Sequence, residues 1–226
     1  MKGTLVNVVA IILGCLIGFI LKSKFPEKLG KIVMQALGLV CLIIGIQMAL
    51  QISSILLMIF SLVIGGAIGE FIGIEEKLTG FGEKIKGRFK INAVSERFVE
   101  GFVSASLLYC VGSMAIMGAL EEGLSGNPEI LYTKSLMDGI SSIALTAAMG
   151  IGVLFSTIPV LFYQGGITLL AQLIRDFLSP EVINEMTAVG GVLILSIGFD
   201  LLEIRKIRTG NLLPAILIAA FLALIL

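Results

Sequence analysis

The chain consists almost entirely of apolar segments about 20 residues long, the length that an α-helix needs to cross a bilayer. Eight such segments follow one another along the 226 residues. They are predicted at approximately 4–21, 31–50, 54–73, 98–120, 135–156, 158–175, 186–204 and 211–226. The pattern therefore predicts an all-α integral membrane protein with about eight transmembrane helices, folded as a single polytopic domain over residues 1–226.

The composition excludes several classes of protein. Only 14% of the residues are charged, against roughly 25% in a soluble domain, and the formal net charge of zero gives no reason to expect a nucleic-acid partner. The chain has no histidine, and its three cysteines lie inside apolar runs, so a zinc site, a histidine-based catalytic triad and a disulfide framework all lack their parts. No catalytic residue, metal or cofactor is predicted, and the protein is not expected to be an enzyme.

The basic residues predict an orientation. If the N-terminus lies outside, 13 of the 16 Lys and Arg residues fall in the inner loops, as the positive-inside rule requires. Only Lys2, Lys134 and Arg175 fall elsewhere. We therefore predict a multi-pass protein of the bacterial inner membrane with both termini outside.

The fifth and sixth segments are the ambiguous ones. A single apolar stretch covers both, and it is too long for one crossing. Pro159 and the residues before it favour a break there. Merging the two would also place Arg205, Lys206 and Arg208 on the outer face, which the charge rule disfavours.

Residues 75–92 form a different kind of segment. Leu78, Phe81, Ile85 and Phe89 recur at steps of three and four residues, with Lys and Glu on the other faces. This spacing predicts an amphipathic interfacial helix lying on the cytoplasmic surface.

Two segments indicate an internal repeat. ALGLVCLIIGIQMAL (36–50) aligns without gaps to VGGVLILSIGFDLLE (189–203). At this offset of 153 residues Gln47 corresponds to Asp200. The two segments would cross in opposite directions, so regions 31–73 and 186–226 are predicted to be units of an inverted repeat that relates spans 1–3 to spans 6–8.

The central spans, 98–156, hold the densest polar groups, and Asp138 is the most informative of them. A carboxylate within hydrocarbon requires a partner, water or an ion. Asp138 has two interpretations that the sequence leaves open: it caps the start of its helix, or it shares a face with Ser141 and Ser142 and offers oxygen ligands to a cation or a polar substrate. In the second interpretation it faces a water-filled cavity entered from outside, near Ser113 and Gln164.

Three further polar residues are predicted to line a solute or ion pathway. Asp200 and its repeat counterpart Gln47 lie within apolar segments, and Gln164 precedes two glycines in the motif YQGG. That motif is typical of a helix broken at the depth of the membrane centre.

Two long stretches resemble a known family. GSMAIMGALEEGLSGNPEILYTKSLMDGISSIALTAAMGIGVLFSTIPVLFYQGGITLLA (112–171) and EMTAVGGVLILSIGFDLLEIRKIRTGNLLPA (185–215) are similar to the bacterial family called domain of unknown function 554. The resemblance extends over almost the whole chain and implies a multi-pass inner-membrane protein. It carries no activity that can be assigned to individual residues.

These observations favour a secondary transporter or ion-coupled carrier of a small solute. A channel or pore is the nearest alternative, followed by a non-transporting assembly or sensory membrane protein. The expected partners are the lipid bilayer and an unidentified small solute or ion, and a homodimer is plausible for a chain of this size.

Overall fold

The computed structural model describes residues 1–22, 27–80, 98–111, 113–174 and 177–225, and within these ranges the chain forms helices and no strand. The predicted all-α fold is confirmed at this level. The helices are α1 (Lys2–Lys22), α2 (Glu27–Ala49), α3 (Ile55–Ile72), α4 (described over 74–80), α5 (Phe98–Cys110), α6 (Ser113–Ser125), α7 (Glu129–Met149), α8 (Gly152–Phe155), α9 (Thr157–Ile174), α10 (Pro180–Leu201), α11 (Thr209–Leu212) and α12 (Pro214–Ile225).

Four of the described helical segments are long and apolar enough to cross a membrane: Lys2–Leu21, Ile55–Ile72, Gly152–Leu173 and Pro180–Leu201. A fifth is obtained if α5 and α6, whose axes are bent by 54°, count as one span. The apolar parts of α2 (Gln35–Ala49) and of α11 and α12 (Thr209–Ile225) are shorter. The structure thus gives four or five spans by length and composition, and eight stays a prediction.

The boundary between the fifth and sixth predicted spans differs from the sequence analysis. α7 begins at Glu129 and ends at Met149, where Gly150 adopts a φ of 86° that only glycine accommodates readily. Pro159 lies in the first turn of α9, where a missing N–H breaks no helical hydrogen bond. The main break therefore lies at Gly150, while a second, minor interruption at Ser156 separates α8 from α9 within the residues just before Pro159, where the break was predicted.

Local sequence signals set other helix ends. Ser54 and Ser179 cap α3 and α10, because each side chain accepts a hydrogen bond from the backbone N–H three residues on. α3 ends at Gly73, whose φ is 67°. Residues 74–80 continue as the helical α4, while 81–92 of the predicted amphipathic helix lie outside the described residues.

Two extensive helix pairs organise the bundle, α1 with α7 and α2 with α10. The helices of the first pair approach so closely at Gly14 that a Cβ there would lie 2.2 Å from the carbonyl oxygen of Gly139. Small residues at such crossings let the backbones of membrane helices pack directly. The polar faces of α1 and α7 are thereby held against each other.

Candidate functional site

A buried ion pair lies at the centre of α7. The ammonium group of Lys134 donates to Asp138 Oδ2, and both side chains are more than nine-tenths buried. Asn7 of α1 donates from Nδ2 both to Asp138 Oδ2 (2.9 Å) and to Gln164 Oε1 of α9 (3.2 Å). Three helices thus contribute polar side chains to a single point inside an apolar bundle.

Two hydroxyl groups extend this site along α7. Ser142 Oγ donates to the carbonyl oxygen of Asp138 (2.7 Å) and lies 2.8 Å from the hydroxyl of Tyr109 on α5. The Lys134 ammonium stands 5.8 Å from the centre of the Tyr109 ring, within the range of a cation–π interaction. The Asp138 cluster is defined here as Asn7, Tyr109, Lys134, Asp138, Ser142 and Gln164.

Several buried polar atoms in and beside the cluster have no hydrogen-bond partner. In the cluster these are Asn7 Oδ1 and Gln164 Nε2, and both side chains are fully buried. Thr4 and Thr168, one turn away on α1 and α9, each have an unpartnered hydroxyl. Buried polar groups in native proteins are nearly always hydrogen-bonded, so these atoms are the ones that a bound water or ligand would satisfy.

Helix periodicity explains why the cluster forms. Lys134, Asp138 and Ser142 follow at four-residue intervals and so lie above one another on one face of α7. That face packs against the glycine-rich side of α1, which carries Asn7. The sequence of α7 therefore places a stripe of polar groups in its extensive contact with α1.

The position of Asp138 bears on both of its interpretations. Asp138 lies well inside α7, nine positions after its first residue, so the interpretation as a helix cap is wrong. It is only 6% exposed and is enclosed by helices, so it does not face the open, water-filled cavity that was predicted.

The other predicted pathway residues are partly brought together. Gln164 and Ser142 join Asp138, whereas Ser141 is half-buried and takes part in none of the hydrogen bonds of the cluster. The side chain of Ser113 lies outside the described part of the structure. α9 runs without interruption through Gln164 and the two glycines, so the predicted helix break there is wrong.

Asp200 and Gln47 lie elsewhere. Gln47 is exposed on α2. Asp200 lines a cleft of about 140 Å³ together with Glu75, Glu100 and Lys206. Neither residue belongs to the Asp138 cluster.

This cleft borders a polar joint between α3, α4 and α11. Glu75 accepts from the backbone N–H of Gly210 (3.1 Å), and Asn211 donates to Glu70 (2.6 Å). Arg208 pairs with Glu76 at 2.7 Å. Burial raises the pKa of the Glu75 carboxyl, against the opposing effect of the Gly210 N–H. These contacts fasten two helix ends, and exposed ion pairs of this kind contribute only about 0–1 kcal/mol to stability.

Lys134, Asn7 and Tyr109 were not predicted from the sequence as site residues. The signal for Lys134 was present, since it precedes Asp138 by four residues and such pairs face each other on a helix. Asn7 and Tyr109 carried no such signal, because only the packing of α1 and α5 against α7 brings them to the carboxylate. Among the described residues, no three His, Cys, Asp or Glu side chains group as metal ligands.

An all-helical bundle with several apolar spans and a buried ion pair defines the class: this is a helical membrane protein. Its sequence matches the model of the family described as "Protein of unknown function (DUF554)" over residues 2–224, and the chain belongs to that family. The family resemblance in the sequence is thereby confirmed.

Two relatives match over nearly their whole length. The chain is 37% identical to the "Uncharacterized membrane protein YdfK" of Bacillus subtilis (strain 168), over 96% of this chain and 93% of the relative. It is 30% identical to the "Uncharacterized protein YqgA" of Escherichia coli (strain K12), over 96% and 94% of the two chains. No solved structure matches the chain.

Proposed function

We propose that this protein is a secondary transporter or ion-coupled carrier of a small solute across the bacterial inner membrane, with the Asp138 cluster as its binding site. The observation that carries the proposal is the buried Lys134–Asp138 pair. A charged side chain within a bilayer costs at least about 2.5–3.5 kcal/mol, and apolar residues of similar volume are often as stable as a buried ion pair. A charged pair at the meeting point of three helices therefore supports a functional role.

The burial of the cluster favours a carrier over a channel. A channel needs a continuous polar path, whereas a carrier encloses its site between two conformations in which one side opens at a time. Asn7 and Gln164 are fully buried and Asp138 nearly so, which is the arrangement of an enclosed site. An assembly or sensory protein would have no need of the unpartnered polar atoms that surround it.

Eight crossings remain part of the proposal. α1, α2, α3, the bent pair α5–α6, α7, the pair α8–α9, α10 and the pair α11–α12 form eight consecutive helical segments. This order, with the N-terminus outside, leaves 13 of 16 basic residues on the inner side, in loops or near the inner ends of helices. The same orientation places the Gly126 turn between α6 and α7 outside.

Helix boundaries support the inverted repeat. Shifted by 153 residues, α2 (Glu27–Ala49) becomes 180–202, and α10 spans Pro180–Leu201. Shifted equally, α3 (Ile55–Ile72) becomes 208–225, which the segment Thr209–Ile225 nearly fills. Repeat units that have matching helix boundaries and cross the membrane in opposite directions are common in transporters.

Contacts between α2 and α10 support the same offset. A Cβ built on Gly198 would lie 3.0 Å from the carbonyl oxygen of Gly38, and one on Gly191 would lie 2.7 Å from that of Gly45. The shift of 153 moves Gly38 to position 191 and Gly198 to position 45, so it exchanges these two contacts. A two-fold axis between the helices has this effect.

The protein is proposed to act in the lipid bilayer, without enzymatic activity and without nucleic acid. We also propose a homodimer, because a chain of 24.0 kDa supplies few helices to enclose a pathway.

A ligand screen tests the function. The purified wild-type protein is screened by thermal shift against inorganic ions and small metabolites, beside the double variant Lys134→Gln/Asp138→Asn, which removes both charges. We expect at least one compound to raise the Tm of the wild type and not that of the double variant. A protein that no solute stabilises, or that is stabilised equally in both forms, contradicts the proposed site.

A further inference from the structure

The chemistry of the Asp138 cluster restricts the ligand it would bind, and the following inference rests on the proposed function. Lys134 and Asp138 carry opposite charges, so the closed site is neutral overall. A single added ion would leave a net charge in a medium of low polarity, which is strongly unfavourable. A loaded state that remains neutral is therefore expected.

Two loading schemes preserve neutrality. A metal cation could replace the Lys134 proton, or a monovalent anion could enter together with a proton that neutralises Asp138. The first scheme requires several oxygen ligands, and it requires Lys134 to leave the carboxylate as a neutral amine. The Lys134 ammonium already occupies the cation position beside Asp138.

The hydrogen-bond inventory favours an anion. Asp138 Oδ2 already accepts from Lys134 and Asn7. Lys134 has three N–H donors, of which the carboxylate takes one, and both N–H groups of Gln164 Nε2 lack a partner. The unpartnered hydroxyls of Thr4 and Thr168 can donate as well. Against these donors, the unpartnered acceptors are Asn7 Oδ1 in the cluster and Glu122 Oε2 beside Gly3.

We propose that the Asp138 cluster binds a small monovalent anion together with a proton. The proton goes to the Asp138 carboxylate, which releases Lys134. The anion then pairs with the Lys134 ammonium and accepts hydrogen bonds from Gln164. No covalent bond other than the new O–H of Asp138 forms, and the site stays neutral before and after loading.

Other titratable groups near Asp138 are uncharged at neutral pH or are bonded to partners outside the Asp138 cluster. α5 contributes Tyr109 and Cys110 and α1 contributes Cys15, all of them buried. α6 contributes Glu122, which accepts from the backbone N–H of Gly3 and pairs at 2.9 Å with the N-terminal ammonium of Met1, whose side chain is 38% exposed. α9 presents the neutral Gln164, and the four residues of α8 (Gly152–Phe155) include no titratable side chain. Among these groups, Asp138 is the one whose protonation frees a buried cation.

The substitution Asp138→Asn imitates the protonated carboxyl and gives a direct test. In a buffer whose anion is the bulky gluconate, this variant should have a lower Tm than the wild type, because Lys134 is left buried without a counter-ion. Chloride, nitrate or lactate should restore its Tm by several degrees, independently of pH between 5.5 and 8. Lys134→Gln/Asp138→Asn is the control and should show no such restoration.

A second measurement uses the wild type and does not depend on the stability of a variant. Proteoliposomes loaded with a pH-sensitive dye are given an inward gradient of chloride, nitrate or lactate, or of sodium or potassium. We expect an anion gradient to acidify the lumen and a cation gradient to leave it unchanged.

The outcomes separate this inference from the proposed function. Three results would each overturn anion–proton binding. They are anion movement without acidification, proton efflux driven by sodium or potassium, and an Asp138→Asn variant that no anion stabilises. If the ligand screen of the wild type still yields a neutral or cationic solute, the proposed carrier function stands without it. Absence of any proton movement and of any stabilising solute overturns both.

Discussion

At the scale of residues, the distinguishing feature is a charge pair that the chain's apolar environment penalises. Lys134 and Asp138 are each other's counter-ions, and Asn7 shares the carboxylate oxygen with Lys134. Removal of one member of a buried pair typically costs about 3–5 kcal/mol, because the other charge is left without compensation, whereas removal of both can be neutral. Each of the two charges is therefore tolerated in the bundle only while the other is present.

This leads to a prediction for a double-mutant cycle. Asp138→Asn and Lys134→Gln should each lower the free energy of unfolding by about 3–5 kcal/mol, and the double variant should lie close to the wild type. Unfolding by SDS in mixed micelles, in gluconate buffer, measures all four forms. Costs that add in the double variant would show that the two residues do not interact.

Glu185 provides a contrasting carboxylate. It is buried in α10, and its Oε1 accepts from the backbone N–H groups of Ser53 (2.8 Å) and Ser54 (3.0 Å) at the start of α3. We predict that Glu185→Ala lowers the free energy of unfolding by about 1–3 kcal/mol, since it removes the acceptor of two amides. Glu185→Gln should cost less because its amide oxygen can still accept.

A transport assay distinguishes the role of Glu185 from that of Asp138. Uptake per folded protein should be unchanged in Glu185→Gln, because this residue fastens a helix end away from the Asp138 cluster. A loss of uptake in this variant, at normal folded yield, would show that the pathway includes Glu185.

The sequence drew attention to Asp138 because a carboxylate in an apolar run needs an explanation wherever it lies. It did not predict the partners. Asn7 is 131 positions away, and its contact with Asp138 depends on the crossing of α1 and α7, which no local pattern encodes. The cap interpretation of Asp138 failed because α7 begins at Glu129, within a polar stretch that hydropathy alone assigned to a loop.

At the scale of helices, close backbone crossings hold the bundle together. A Cβ on Gly191 would lie 2.5 Å from the backbone nitrogen of Ala49, and a backbone atom cannot move aside as a flexible side chain can. In α9, by contrast, a Cβ on Gly166 meets nothing within 4 Å. The two glycines therefore have different structural roles.

We predict that Gly191→Ala destabilises the protein by about 1–3 kcal/mol through overpacking. Gly166→Ala is the matched control and should be neutral or stabilising by up to about 1 kcal/mol, because alanine favours the helix. Tm values of the two variants provide the comparison. Equal effects would mean that α2 and α10 do not cross at Gly191.

Helix positions were predicted from apolar length more successfully than helix ends. The regions assigned to α1, α3 and α10 are helices, since length and hydropathy suffice where charged residues are scarce. The breaks were misplaced because Gly150 resembles the many packing glycines of the chain, and only its positive φ marks it as a turn.

At the scale of the whole molecule, orientation can be tested by cysteine labelling in a background that lacks Cys15, Cys41 and Cys110. A cysteine at Ser125 should react with an impermeant reagent from outside, and cysteines at positions 83 and 205 should not. Labelling at position 205 distinguishes a topology of eight crossings from one of seven, because merging the fifth and sixth spans would move this position to the outer face. Efficient external labelling there would refute the proposed topology.

The central claim, that the Asp138 cluster is the site of a carrier, is tested most directly by uptake. The radiolabelled compound that stabilises the wild type in the ligand screen is presented to proteoliposomes of the wild type, of Ser141→Ala and of Lys134→Gln/Asp138→Asn. Saturable uptake by the first two, and uptake at the level of protein-free liposomes by the double variant, is the result predicted here. Equal uptake by all three proteins, or no uptake by the wild type, would contradict the claim.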